Sequence, residues 1–206
     1  MMSIISYRWL LAVALPLLAA TAIYLWAGWL RQRGRFSGAP GRGHAWAATR
    51  FDTVRLRETA ADIAALGSPT LVAAFTALFG LAFLGHHDLR AAVILSAASI
   101  LAGWSGTMLK RLTGRTRPKL AVAAHFGSSY PSSHTLMSTT LYGTAAVLLV
   151  ANGAWPSGEP LLLMAAALIA GAVGASRIVL RVHYLSDVIA GWFMGAALCG
   201  AALLVY

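Results

Sequence analysis

The chain has 206 residues, 59% of them hydrophobic and only 11% charged, and its mean hydropathy is +0.72. Ordinary globular domains carry about a quarter charged residues, so this composition excludes a soluble, self-wetting surface. A net charge of +10 would point to nucleic acid in a soluble protein. Here the basic residues flank or interrupt apolar runs, and the counter-charges that suit them are anionic lipid headgroups and phosphate, with no nucleic acid expected.

The first apolar run covers Trp9 to Leu30. It is longer than the core of a signal peptide and is followed by Arg31, Arg33 and Arg35, so it reads as a retained span that Pro16 can only kink. The stretch from Arg31 to Ser68 begins rich in Gly and Arg and becomes helix-compatible from about Ala45 to Leu66. There Trp46, Phe51 and Val54 alternate with Arg50, Arg55 and Arg57, a pattern suited to the headgroup layer. Further apolar runs cover about Pro69–Leu84, Ala91–Leu109, Leu136–Ala151, Leu161–Leu180 and Val188–Tyr206. The expected fold is all-α: a polytopic membrane protein, a bundle of six transmembrane helices with an interfacial helical segment between spans one and two. It reads as a single domain over 1–206. Cys199 is the lone cysteine; no internal disulfide and no Cys/His metal spacing is available to it, so it reads as a small apolar residue.

With six crossings, the links after spans one, three and five share one membrane face, and three clusters fall on the last two of them. Lys110 to Lys119 is basic, with Lys110 offering a point charge and Arg117 a planar fork to phosphate oxygens; a headgroup anchor is the structural alternative. Tyr130-Pro131-Ser132-Ser133-His134 precedes span four. As a helix start it is an ordinary cap, but the same geometry presents N–H groups and a positive dipole end to an anion, with His134 placed to protonate a leaving oxygen. The third cluster runs from Ser176-Arg177 to His183 and Asp187. Four residues apart on a helix, His183 and Asp187 would share one face, where the carboxylate fixes the imidazole tautomer; a structural His–Asp staple is the alternative. His86 and His87 fall on the opposite face and read as interfacial, and His125 belongs to none of the clusters.

In order these clusters are Lys-x6-Arg-Pro, Pro-Ser-x-His and Ser-Arg-x5-His-x3-Asp. The ordered triple resembles the signature of the type 2 phosphatidic acid phosphatase and vanadium haloperoxidase superfamily, over a core of about residues 58–206. The resemblance implies a membrane lipid phosphate phosphatase working through a phosphohistidine, with no cofactor and no metal. His183 would be the nucleophile, Asp187 its orienting partner and His134 the general acid. Lys110, Arg117 and Arg177 would clamp the phosphoryl oxygens, helped by the Ser132 hydroxyl and the Ser133 backbone N–H, and three cations would do the work of a metal. The family most often has Gly where this chain has Ser133, so the resemblance leaves room for a slightly different loop there.

Haloperoxidase relatives are soluble, which six spans oppose. A lipid-to-lipid phosphotransferase differs only in the final acceptor. A channel or lipid-binding bundle would have no use for His134, His183 and Asp187 together. Phosphatidic acid, phosphatidylglycerol phosphate and an isoprenoid diphosphate all fit as substrates in the bilayer. Every Lys and Arg except Arg8 and Arg90 lies on the face that carries the clusters. The positive-inside rule would put that face in the cytoplasm; the resemblance implies the outer, periplasmic face of the inner membrane, and the outward placement is the one expected.

Overall fold

The protein, seen here in a computed structural model, is described over residues 4–34, 53–118, 127–153 and 156–206. Among these residues every regular element is helical: α1 (Ile4–Gln32), α2 (Val54–Ala65), α3 (Pro69–Gly85), α4 (Leu89–Thr113), α5 (Ser133–Ala151), a 3-10 turn at Pro156–Gly158, α6 (Glu159–Val179) and α7 (Leu185–Val205). Of the interfacial segment expected from sequence, Arg35, Trp46, Arg50 and Phe51 lie outside the described residues, as do Lys119 and His125.

The helix starts follow local chemistry. The Thr53 and Ser68 hydroxyls accept N–H groups at the heads of α2 and α3, Pro69 opens α3, and the Asp88 carboxylate accepts the Ala91 N–H at 2.9 Å to open α4. α4 ends at Gly114, whose φ of 59° is the left-handed conformation glycine adopts without strain, its N–H returning to the Lys110 carbonyl.

Five helices, α1, α4, α5, α6 and α7, are long and apolar enough to cross a membrane. α3 has 17 residues, about 26 Å of helix against a hydrocarbon core of about 30 Å. It follows α2 across a 46° bend, and the bent pair makes the sixth candidate span. α1 shows the bilayer's imprint: Leu11, Val13, Leu17, Leu18 and Leu25 are each more than half exposed, a surface only lipid would cover.

α5 is the central helix, packed against α3, α4, α6 and α7, while α1 packs on α7 and α4, and α2 on α6. The α5–α7 approach depends on small residues. A Cβ on Gly195 would lie 2.6 Å from the Thr139 Cβ, and one on Gly191 would lie 2.9 Å from the Ser132 carbonyl oxygen. In lipid, where apolar burial drives little, such close backbone packing is what joins helices.

The up-and-down order is visible at both ends. At one end Arg8 donates to the Leu203 carbonyl and Arg90 to that of Val205. At the other, Arg31 donates to the Thr113 carbonyl at 2.6 Å, and the Ser132 N–H donates to the Asp187 carbonyl at 3.0 Å. The helix ends facing this second end carry all three sequence clusters.

Several expected boundaries shift. Lys110 lies in the last turn of α4, inside the helix rather than beyond it, while Arg177 lies in the last turn of α6, within the span expected for it. Ser133 and His134 belong to the first turn of α5, which begins three residues before the apolar run, with Ser132 at the N-cap position. Periodicity marks where apolar residues begin, whereas polar residues at the interface extend a helix at little cost.

Candidate active site

His183 and Asp187 meet, though by a route other than a shared helical face. α7 begins only at Leu185, so His183 sits in the preceding turn. Arg181, at a φ of 58°, reverses the chain there, with the Val182 N–H returned to the Arg177 carbonyl at 3.2 Å. A left-handed backbone at a non-glycine residue is a strain that surrounding structure must hold. Asp187 is the third helical residue of α7, and its Oδ2 folds back to accept the Tyr184 N–H at 2.8 Å. The same oxygen lies 3.4 Å from His183 Nδ1. The cap that starts α7 therefore presents the carboxylate to the histidine.

Both residues are shut away from water, His183 at 1% exposure and Asp187 at 0%. Burial pushes the His183 imidazole down to about 4, against the upward pull of Asp187, and the charges of Arg177 and Arg117 push it lower still. The ring is neutral at pH 7. With Nδ1 on the side of Asp187, Nε2 is the nitrogen left for chemistry.

The guanidinium groups around it are not fully used. Arg117 spends Nη1 on the Val182 carbonyl at 3.0 Å, yet among the described residues its Nε is buried without a partner, and so are Nε and Nη2 of Arg177, which is 3% exposed. Burial also lowers Arg117's affinity for its proton, and Asp187 partly restores it. Lys110 feels the charges of Arg117, Arg177 and Asp187. Buried donors without acceptors in a cationic neighbourhood are what an anion would complete.

The helix α5 adds its N-terminus, with Ser132 as cap and Ser133 and His134 in the first turn. The Ser132 hydroxyl accepts from Thr135 at 3.0 Å, so its own proton remains available. The Ser133 hydroxyl is turned toward α4, 3.6 Å from where a Cβ on Gly106 would stand, leaving its backbone N–H as the group that can serve the site. Ser133 is helical and not among the described residues of positive φ, so glycine's freedom is not required at this position. His134 is half-buried, and its carbonyl packs against Gly67 at the corner between α2 and α3.

The sequence reading missed Arg115. It is 3% exposed and its Nη1 lies 2.6 Å from both Asp187 Oδ1 and Ser186 Oγ. Its segment is held by the loop before α5: Ser129 N–H donates to the Arg115 carbonyl at 2.8 Å, and Arg115 N–H to Ser128 Oγ at 3.0 Å. In sequence it is one more arginine in a basic run, and spacing alone does not separate it from a headgroup anchor. Tyr130 completes the loop by donating its hydroxyl proton to the Ile23 carbonyl of α1 at 3.0 Å.

The described residues thus form a multi-pass helical membrane protein with a buried histidine–carboxylate pair and arginine donors gathered at one end of the bundle. Residues 91–206 match the model of the PAP2 superfamily, and the chain belongs to that superfamily. Phosphatidylglycerophosphatase B of Bacillus subtilis (strain 168) is 34% identical over 93 residues, covering 44% of this chain and 46% of that protein. The match thus spans about half the length of that relative. The crystal structure of the first transmembrane PAP2 type phosphatidylglycerolphosphate phosphatase from Bacillus subtilis superposes with a TM-score of 0.72 at 22% identity, over 93% of this chain and 92% of that one. The fold is therefore common to both over nearly their whole length.

Proposed function

We propose that the chain is a membrane lipid phosphate phosphatase working through a phosphohistidine, with phosphatidylglycerol phosphate as substrate. The observation that carries this reading is a neutral, buried His183 backed by Asp187 beside unpartnered guanidinium nitrogens of Arg117 and Arg177. The choice of lipid rests on the names of the two Bacillus subtilis proteins.

In the first step Nε2 of His183 attacks phosphorus and the bond from phosphorus to the lipid oxygen breaks. His134 gives its proton to the departing oxygen, and the Nδ1 proton stays with the imidazole beside Asp187. Water then attacks the phosphohistidine, its proton passing to His134 as the N–P bond breaks, and inorganic phosphate leaves with both histidines restored. Lys110, Arg117, Arg177, the Ser132 hydroxyl and the Ser133 N–H stabilise charge on the equatorial oxygens. A lipid hydroxyl in place of water would make the same site a phosphotransferase.

Phosphate release from a panel of purified lipid phosphates in detergent tests this. Phosphatidylglycerol phosphate should be turned over fastest, and His183→Ala should abolish release from every lipid while still binding lipid. Near-normal turnover by that variant would end the reading. The site is proposed to face outward, with both chain ends on the cytoplasmic side. Cytoplasmic fluorescence from a GFP fused after Tyr206 is the expected result, and activity of alkaline phosphatase fused there would reverse the placement in favour of the positive-inside count.

A further inference from the structure

Arg115 is a buried cation that the phosphate clamp does not use. Its Nη1 is committed to Asp187 Oδ1 and Ser186 Oγ, each at 2.6 Å. The guanidinium carbon stands 4.2 Å from the Tyr184 ring centroid and 5.9 Å from that of Tyr130. It lies on the far oxygen of Asp187, with Oδ2 given to the Tyr184 N–H and facing His183. The carboxylate is thus shared by a cation behind it and an imidazole in front.

Each extreme of that sharing would harm a nucleophilic histidine. A carboxylate at 0% exposure with no cation beside it would have only the Tyr184 N–H to keep it aimed at Nδ1, 3.4 Å away. A carboxylate fully ionised but unopposed would strengthen the imidazole as a base until it, too, was protonated. We propose that Arg115 is a positioning residue for phosphoryl transfer, acting through Asp187 to hold the carboxylate ionised, aimed at His183 and too weak to turn His183 into an imidazolium. This rests on the reading of His183 as nucleophile.

Other charges also bear on the pair. Lys110 comes from α4, Arg117 from the loop after it, Tyr130 from the loop before α5 and Arg177 from α6; each interacts with Asp187 or His183. His134 opens α5 at the same end, and Tyr184 borders the pair on the His183 turn. Of the cations, Lys110, Arg117 and Arg177 would be neutralised when a phosphate dianion binds. Arg115 would not, because Asp187 and Ser186 already hold it away from the clamp. Its influence on the pair therefore persists through the catalytic cycle, while that of the other three rises and falls with substrate.

Removing one positive charge raises the proton affinity of the His183–Asp187 pair whichever member carries the proton. The direct test is a titration of the full chain in detergent, labelled with 15N-histidine, with the His183 signals identified by their loss in His183→Gln. Arg115→Gln should raise the apparent pKa of the pair by about one unit or more. Arg115→Lys keeps the charge and should titrate within about 0.3 units of the parent, its turnover falling through the lost second bond and stacking. An unshifted or lowered titration in Arg115→Gln, or an equal shift in both variants, would show that Arg115 merely packs. Should Arg115→Gln fail to fold, Arg115→Lys decides alone: a shift beyond about half a unit with the charge retained overturns the proposal. The readout needs no turnover, so a protein that hydrolyses no lipid phosphate defeats the proposed function without touching this test. Hydrolysis alongside an unshifted Arg115→Gln defeats this inference only.

Discussion

The two ends of the bundle use the same kinds of residue for opposite purposes. At the end where the chain starts, Arg8 and Arg90 donate to the carbonyls of Leu203 and Val205, and Tyr206 donates its hydroxyl to Asp88 at 2.8 Å. These groups stand near solvent and tie off helix ends. At the other end, Arg177 is buried and Arg117 half-buried, each with nitrogens that have no partner among the described residues, and the carboxylate of Asp187 is enclosed rather than exposed. What separates a fastening from a site is thus burial combined with hydrogen-bonding capacity that the described residues leave unmet, since each orphaned buried donor is a cost that a bound ligand or water removes.

Substitution series at the two ends can break that contrast. The largest effect should come from the clamp: Lys110→Ala, Arg117→Ala or Arg177→Ala should each lower kcat by about 100-fold or more. Equal losses in lipid binding alone, with kcat intact, would make these residues anchors instead. An intermediate effect belongs to the helix contact that supports the site. Gly195→Leu forces a side chain where even a Cβ would lie 2.6 Å from Thr139, and should cost about 1–3 kcal/mol or more by overpacking. It should lower the melting temperature in detergent and also turnover, because α5 and α7 carry Ser132 and Asp187. The smallest effect should come from the opposite end. The Ala91 N–H chiefly holds the Asp88 carboxylate below its ordinary pKa, with Tyr206 helping. That contribution is present above about pH 4 and fades as the pH falls through the lowered value. The group is only half-buried, at a helix end, so Asp88→Asn or Tyr206→Phe should cost less than about 1 kcal/mol and leave turnover unchanged. A loss of turnover there would mean the two ends are coupled.

Much of this was legible in the sequence, for identifiable reasons. Apolar runs locate spans because lipid demands them, and the three clusters converge because an even number of crossings forces their links to one face. The His183–Asp187 pairing was read correctly from an offset of four, yet the geometry is a helix cap and not a helical face. Either arrangement brings third- and fourth-position neighbours together, so the offset could not distinguish them. Arg115 was illegible for a different reason. Its role comes from contacts with Ser186 and Asp187, far along the chain, and nothing in a run of basic residues marks the one that turns inward. The helix ends slipped outward because interfacial Ser, His, Lys and Arg are compatible with either helix or loop.

The bond from Tyr130 to the Ile23 carbonyl reaches α1, which lies wholly outside the segment, residues 91–206, that matches the superfamily model. Together with the bond from Arg31 to the Thr113 carbonyl, it makes α1 a buttress for the loop that leads into Ser132 and the first turn of α5. The outer flank of α1 is free to drift among apolar residues. Its inner stripe of Ala19, Ile23, Ala27 and Leu30, all buried against α4, α7 and Tyr130, is not interchangeable. A chimaera that replaced α1 with a generic hydrophobic anchor would still insert, but its reactive loop would have lost a wall.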